Sequence, residues 1–151
     1  MIKFIEAELS STLKIRELEL AEFELAFPIV HQLRTHLTLQ KFIDLVNEMR
    51  ATNYQAICLF ENEKIVSYAG LANLTNLYYG HHIWVYDLVT DENKRSNGYG
   101  KLLLEYIERH AKVNKLDCIA LSSRFQLTQA HNFYENYMNY EKLSYVFKKS
   151  L

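Results

Sequence analysis

The chain has little of what lets a polypeptide turn sharply or cross-link itself: four glycines, one proline and two cysteines among 151 residues. So little Gly and Pro excludes collagen-like and linker-like chains, and two cysteines exclude a disulfide-stapled miniature scaffold. Cys58 and Cys118 lie in the apolar runs Ala56-Ile-Cys-Leu-Phe60 and Cys118-Ile-Ala-Leu121, which reads as two buried, unpaired thiols. Cys118 has no sequence neighbour that would make it a nucleophile, and no His/Cys/carboxylate group has zinc-ligand spacing, so neither covalent catalysis nor a metal is expected. A charge excess is missing too. Seventeen Lys and Arg against eighteen Asp and Glu, a net −1, give no reason to expect nucleic acid or an anionic membrane as partner. No apolar run approaches bilayer-spanning length, and Met1-Ile-Lys-Phe-Ile-Glu-Ala-Glu8 lacks the apolar core of a signal peptide, so the expected location is cytoplasmic.

What is present is a regular alternation of elements, enough for one domain over residues 1–151. Leu13, Ile15 and Leu18–Leu20 suggest a first strand. Ala26, Ile29, Val30, Leu33 and Leu37 follow helical spacing, and Pro28 among them predicts that the helix begins near it or kinks there. Phe42, Leu45, Val46 and Met49 occupy i, i+3, i+4 and i+7 after a Thr38 cap. Tyr54–Phe60 and Ile65–Ala72 read as two strands joined by a hairpin turn at Glu61-Asn-Glu-Lys64, with 74–80 as a connection. Ile83–Val89 is a further strand, Leu103, Leu104, Ile107 and Ala111 mark a helix, and Leu116–Leu121 is a buried strand. Ala130, Phe133, Tyr134 and Tyr137 stripe a last helix before one or two closing strands in Tyr140–Phe147.

The stretch Asp87-Leu-Val-Thr-Asp-Glu-Asn-Lys-Arg-Ser-Asn-Gly-Tyr-Gly100 organises the rest. It leads from a β-branched strand through a polar loop into a helix, and two of the four glycines, Gly98 and Gly100, fall where that helix starts. Backbone N–H groups of a first helical turn have no partner inside the helix, and the positive end of the macrodipole lies there as well. Lys94, Arg95 and Lys101 add formal charge. Such a place suits an anion, and a phosphate is its natural guest. A lone Gly-x-Gly is weak by itself, and this is neither a P-loop nor a dinucleotide fingerprint, both of which need more glycines at other spacings.

Arg95-x-x-Gly98-x-Gly100 between strand and amphipathic helix resembles the pyrophosphate-binding motif of the GNAT superfamily of acetyl-CoA-dependent N-acetyltransferases. Ala130-His-Asn-Phe-Tyr-Glu135 is similar to the family's Ala-x-x-Phe-Tyr-Glu segment, in the right order and at about the right separation. The resemblance implies an α/β (α+β) fold with a mixed, mostly antiparallel sheet of six to seven strands, helices on both faces, and the order β-α-α-β-β-β-α-β-α-β. It implies acetyl-CoA as acetyl donor and a primary amine as acceptor. It assigns cofactor contacts to the backbone of Leu88, Val89 and Thr90, to the loop Arg95, Ser96, Asn97, Gly98, Tyr99, Gly100 and Lys101, and to Asn132. Two departures stand out. Leu127 replaces an Asn found in many relatives, and Asn139 replaces the glycine that closes the last helix, a place Asn also suits because it tolerates the left-handed conformation.

Acetyl transfer to an amine needs a neutral amine, a stabilised oxyanion and a protonated leaving thiolate. Tyr134 is the candidate acid, as a phenol stays protonated at neutral pH and can donate to a stronger base, and the resemblance points to the same residue. Its plainer reading is a core residue on a helical stripe. The base is less marked: relatives often carry a Glu where this chain has Tyr86, leaving Asp87, His81 or His82 as candidates, with the two histidines on opposite strand faces. The aromatic, weakly polar side formed by Tyr78, Tyr79, His81, His82, Trp84 and Tyr86 suits a small amine or a peptide amine, or equally core and a homodimer contact. The expected function is direct acetyl transfer in a ternary complex. The alternative is a non-catalytic acetyl-CoA- or CoA-binding or protein-interaction module with a degenerate site, and a longer acyl group is a third reading.

Overall fold

A computed structural model describes residues 1–151. They divide into two compact units, Met1–Ala120 and Leu121–Leu151, taken separately below. The strands are β1 (Ala7–Glu8), β2 (Leu13–Glu17), β3 (Tyr54–Glu61), β4 (Lys64–Asn76), β5 (Gly80–Thr90) and β6 (Cys118–Leu121), forming one six-stranded sheet in chain order. The pairs from β1 to β5 are all antiparallel. Helices α1 (Phe23–Leu33) and α2 (Leu39–Arg50) intervene between β2 and β3, and α3 (Tyr99–Val113) between β5 and β6. This is the mixed α/β sheet that the resemblance implied.

Alternation along the strands divides the core by face. Tyr54, Ala56, Cys58 and Phe60 of β3 join Tyr68 and Val89 against Phe23, Ala26, Val30, Phe42 and Val46 of α1 and α2. The intervening residues Ile57, Leu59, Leu71, Ile83 and Val85 are buried as well, and α3 packs on β3, β4 and β5 through buried Leu103, Leu104 and Ile107. The N-terminal residues lie along α3: Phe4 stacks on Tyr106, the Ile5 N–H donates to His110 Nε2 at 3.2 Å, and Tyr106 donates to the Ile5 carbonyl.

The local signals held where their chemistry is local. Thr38 caps α2, its hydroxyl accepting the Lys41 N–H at 3.1 Å. Asn62 and Glu63 both take positive φ, 50° and 66°, which is what a two-residue hairpin turn between twisted strands demands. Several expectations need correction. Of the two readings of Pro28, a helix start is overturned: α1 begins at Phe23 and Pro28 lies inside it. The 74–80 connection is shorter than expected, because β4 runs on to Asn76, paired with Gly80, and the Asn76 side chain then accepts the Tyr78 and Tyr79 N–H groups to close the turn. Leu18–Leu20 does not extend the first strand; Leu20–Glu22 is a single 3-10 turn. Cys58 is buried as expected, whereas Cys118 is partly exposed, with its Sγ 3.8 Å from the Tyr79 carbonyl; neither is in a disulfide.

In the second unit, α4 (Thr128–Asn132) continues into one wide π turn over Phe133–Tyr137, where the Met138 N–H reaches back to the Phe133 carbonyl at 3.0 Å. Asn139 has φ 59°, the left-handed stop expected of it. The closing strand expected in Tyr140–Phe147 does not form, and Leu143, Tyr145, Val146 and Phe147 are exposed. Strand propensity expresses fit to a paired, half-buried surface, and this segment has no ladder to fit.

Candidate functional site

β5 sets the site. Its register on β4 runs Leu71 opposite Val85, then Gly70 opposite Asp87, so Tyr86 is an extra residue that pairs with nothing across the ladder. Such a bulge bends and twists its strand and re-aims the residues after it. Beyond it, Leu88, Val89 and Thr90 pair with Ala69, Tyr68 and Ser67 of β4. On the other side, β6 enters beside His81, whose carbonyl accepts the Asp117 N–H at 2.7 Å. Four residues of β6 cannot line eleven of β5, so the carboxyl half of β5 outruns it. The Ser67 hydroxyl, fully buried, bonds the Thr90 hydroxyl at 2.9 Å and donates to the Val89 carbonyl at 3.2 Å, fixing the strand end.

The loop that follows is shaped by its own polar groups. The Asp91 carboxylate accepts the Asn93 N–H at 3.1 Å, the Lys94 N–H returns to the Asp91 carbonyl at 2.8 Å, and the Asn97 amide donates to the Lys94 carbonyl at 2.9 Å. Ser96 and Gly98 are both left-handed, with φ 68° and 74°, and Asn97 between them is not. Alternating hand in this way can turn successive amides toward one side, the geometry that suits an anion. Gly98 is the N-cap of α3 and its carbonyl accepts the Leu102 N–H at 3.0 Å, but no protein acceptor takes the backbone N–H groups from Arg95 to Lys101. An unpaired run of amides, opening a fifteen-residue helix whose dipole adds roughly half a positive charge, can hold a diphosphate.

Of the three loop cations, Lys94 is already engaged. Its ammonium lies 2.6 Å from Glu61, which holds that carboxyl below the usual carboxylate range. Arg95 donates weakly to the Thr90 carbonyl at 3.4 Å, and Lys101 lies 3.9 Å from Glu105, so these two keep charge for a ligand.

The base candidates are well separated. His81 is exposed and His82 buried, as strand alternation requires; His82 Nδ1 lies 3.0 Å from the Gly80 carbonyl and its ring packs on Tyr79. Asp87 is five residues further on, roughly 16 Å at strand rise, so His82 and Asp87 cannot serve one amine. Asp87 lies at the bulge and faces α1. There Arg34, just past the end of α1, donates from Nε to the Asp87 carboxylate at 2.7 Å and from Nη2 to the Tyr86 carbonyl at 3.0 Å. From the same turn, Gln32 donates to Asp91 at 3.3 Å and accepts the Glu92 N–H at 2.9 Å. The end of α1 thus holds β5 on both sides of Leu88–Thr90. No local pattern marked Arg34 or Gln32, whose partners lie more than fifty residues away, or the bulge, which exists only against the partner strand β4.

In the second unit, burial pushes the Tyr134 phenol up to about 12. It lies in the π turn, its ring beside Phe133 and Tyr140. Asn132 is exposed and accepts from the Asn136 amide at 2.6 Å.

Comparison with known proteins gives concordant results. The model of the Acetyltransferase (GNAT) family matches residues 13–140. A curated protein of Bacillus subtilis (strain 168), described as an uncharacterized N-acetyltransferase, is 34% identical over 129 residues, covering 85% of this chain and 91% of that protein. Among solved structures, the aminoglycoside N-acetyltransferase AAC(6')-Iy in complex with CoA has a TM-score of 0.80 at 12% identity, covering 95% of this chain and 99% of that one. Glucosamine-6-phosphate N-acetyltransferase from Arabidopsis thaliana has a TM-score of 0.72 at 21% identity, with 93% and 99% covered. At these identities the two structures speak to the fold. No helix is long and apolar enough to cross a membrane.

Proposed function

The chain belongs to the GNAT family of acetyltransferases, and from that premise we propose that it moves the acetyl group of acetyl-CoA to a primary amine, either of a small molecule or of a peptide, by direct transfer in a ternary complex. The observation that carries the reading is the unpaired run of amides from Arg95 to Lys101 at the mouth of α3, directly after a strand whose carboxyl half outruns its neighbour. The amides and the Arg95 guanidinium take the diphosphate, Gly98 supplies the left-handed step, and the pantetheine arm runs along Leu88, Val89 and Thr90, whose main-chain groups also meet the developing oxyanion.

In the reaction the amine nitrogen attacks the thioester carbonyl, the C–N bond forms, and the C–S bond breaks to release CoA. Asp87 takes the proton from the attacking nitrogen through water. It is the better base candidate because it lies at the bulge, beside the strand segment assigned to the thioester. Arg34 engages one of its carboxylate oxygens. Tyr134 is assigned by its place in Ala130-x-x-Phe-Tyr-Glu135. With its phenol pushed up to about 12, it remains protonated at neutral pH, hydrogen-bonds the sulfur as the C–S bond opens and passes it the proton that completes the thiol, regaining one from water. A homodimer and a cytoplasmic setting belong to the same proposal.

A non-catalytic CoA-binding module is the second reading. It is favoured by Tyr86 standing where many relatives carry Glu, and by Arg34 holding the one nearby carboxylate. Thermal-shift titration with acetyl-CoA, CoA and ATP tests the shared premise, since a ligand at a hundred times its dissociation constant adds roughly 2.7 kcal/mol of apparent stability. A shift confined to the two CoA compounds is expected, and thiol release with a panel of amines then separates enzyme from module. No shift with either CoA compound would overturn both readings of this site.

A further inference from the structure

We propose that Glu61 is a positioning residue for the diphosphate loop, gripping it from the β3–β4 turn at both ends; this rests on the acetyl-CoA reading above. The loop's internal hydrogen bonds are short in sequence: Asp91 to Asn93 and Lys94, and Asn97 back to Lys94. They shape a turn but do not fix it to the sheet. Glu61 does so from a distance of 33 and 38 residues: Oε1 accepts from Lys94 Nζ at 2.6 Å, and Oε2 accepts from the Tyr99 hydroxyl. Lys94 is the last residue before the Arg95–Lys101 run, and Tyr99 is the first residue of α3, so one carboxylate spans the left-handed residues Ser96 and Gly98.

Glu61 is itself held rigidly. It pairs with Leu13 of β2 on one side and Lys64 of β4 on the other, at the end of the tight Asn62-Glu63 turn. Each carboxylate oxygen has one donor, and hydrogen bonds to charged groups are the stronger kind. The Lys94 pair also explains why a cation at the edge of an anion site is not turned toward it. Its charge balances the brace, and the ligand is left to the amides and Arg95.

Two effects of Glu61 oppose each other. As a fixed anion close to a phosphate site it would weaken binding, and as a brace it would strengthen binding by holding the amides converged. Glu61→Gln keeps the size, removes the charge and cannot accept at both oxygens, so the sign of its effect on CoA affinity says which of the two prevails. Calorimetric titration with CoA is expected to show affinity lowered roughly five- to tenfold, about the effect of one ordinary hydrogen bond. S-acetylpantetheine, which lacks the diphosphate, is expected to bind both proteins alike by NMR titration. Tyr99→Phe and Lys94→Met each remove one arm and are expected to give part of the loss.

Unchanged or tighter CoA binding in Glu61→Gln would overturn the brace, and so would an equal loss for CoA and S-acetylpantetheine, which marks a general loosening. If the unaltered protein itself fails to bind CoA, the acetyl-CoA reading falls first and takes the brace with it. That failure is seen before any variant is made.

Discussion

Gly98 and Gly70 are both required, for unrelated reasons. At Gly98 a Cβ would meet nothing within 4 Å, yet φ is +74°. Any L side chain there pays only the left-handed backbone penalty, about 1–2 kcal/mol. Gly98→Ala is therefore expected to lower stability by about that amount in denaturant unfolding while weakening CoA binding modestly. Gly98→Asp is expected to abolish CoA binding at a similar stability cost, because its carboxylate faces the phosphate; equal CoA affinity in the two variants would show that the loop is not the phosphate site. Gly70 is a matter of space, since a Cβ there would fall 2.0 Å from the Tyr54 hydroxyl in the core opposite Asp87. At Tyr134, removal of the hydroxyl in Tyr134→Phe takes away a donor and little contact area. Turnover is expected to fall about a hundredfold with acetyl-CoA affinity nearly intact, and unchanged turnover would remove Tyr134 from the mechanism.

Between elements, the decisive contact is the Arg34 clamp from α1 onto the β5 bulge. The Asp87 side chain is 16% exposed and that of Arg34 33%, so deleting the guanidinium leaves a mostly buried carboxylate and the unpaired Tyr86 carbonyl without their donor. Arg34→Met is expected to cost about 1–3 kcal/mol, and adding Asp87→Asn to recover part of it, since a neutral amide needs no counter-charge. Strictly additive effects in that double-mutant cycle would refute the clamp. The strand, loop and helix from Ile83 to Ala111 were legible in the sequence because their signals act within one turn or one strand: β-branched alternation, a polar break, glycine at a left-handed cap. The Thr38 cap and the Asn62-Glu63 turn were legible for the same reason. The bulge, Arg34, Gln32 and Glu61 were not, because a bulge exists only relative to its partner strand, and these side chains act across 33 to 60 positions. Tyr140–Phe147 misled in the opposite sense: it carries strand-forming residues, but propensity without a ladder makes no strand.

For the main unit, the pH limits of stability follow from groups that burial keeps from ionising. On the acid side glutamates oppose one another. Arg16 holds the Glu22 carboxyl, and Lys94 the Glu61 carboxyl, below the usual value, so those contributions are lost as pH falls, while burial raises Glu17, whose contribution grows as pH falls. The alkaline side has no such balance. Tyr54 and Tyr68, hydroxyl to hydroxyl at 2.6 Å beneath α1 and α2, are both pushed up by burial, and Tyr106 under the N-terminal residues is pushed up to about 12. Each has a folded-state value above the unfolded one of roughly 10, so its contribution is whole below pH 10 and drains away as pH rises through 12 and beyond. Because the pair lies on one sheet face and Tyr106 on the other, ionising them requires opening both. Tyrosinate absorbance and far-ultraviolet circular dichroism followed together are expected to show the buried Tyr54, Tyr68 and Tyr106 ionising only in step with cooperative unfolding. A single smooth titration of all eleven tyrosines with the dichroism unchanged would mean that the hydroxyl pair is open to water and that the two-faced core described here is wrong.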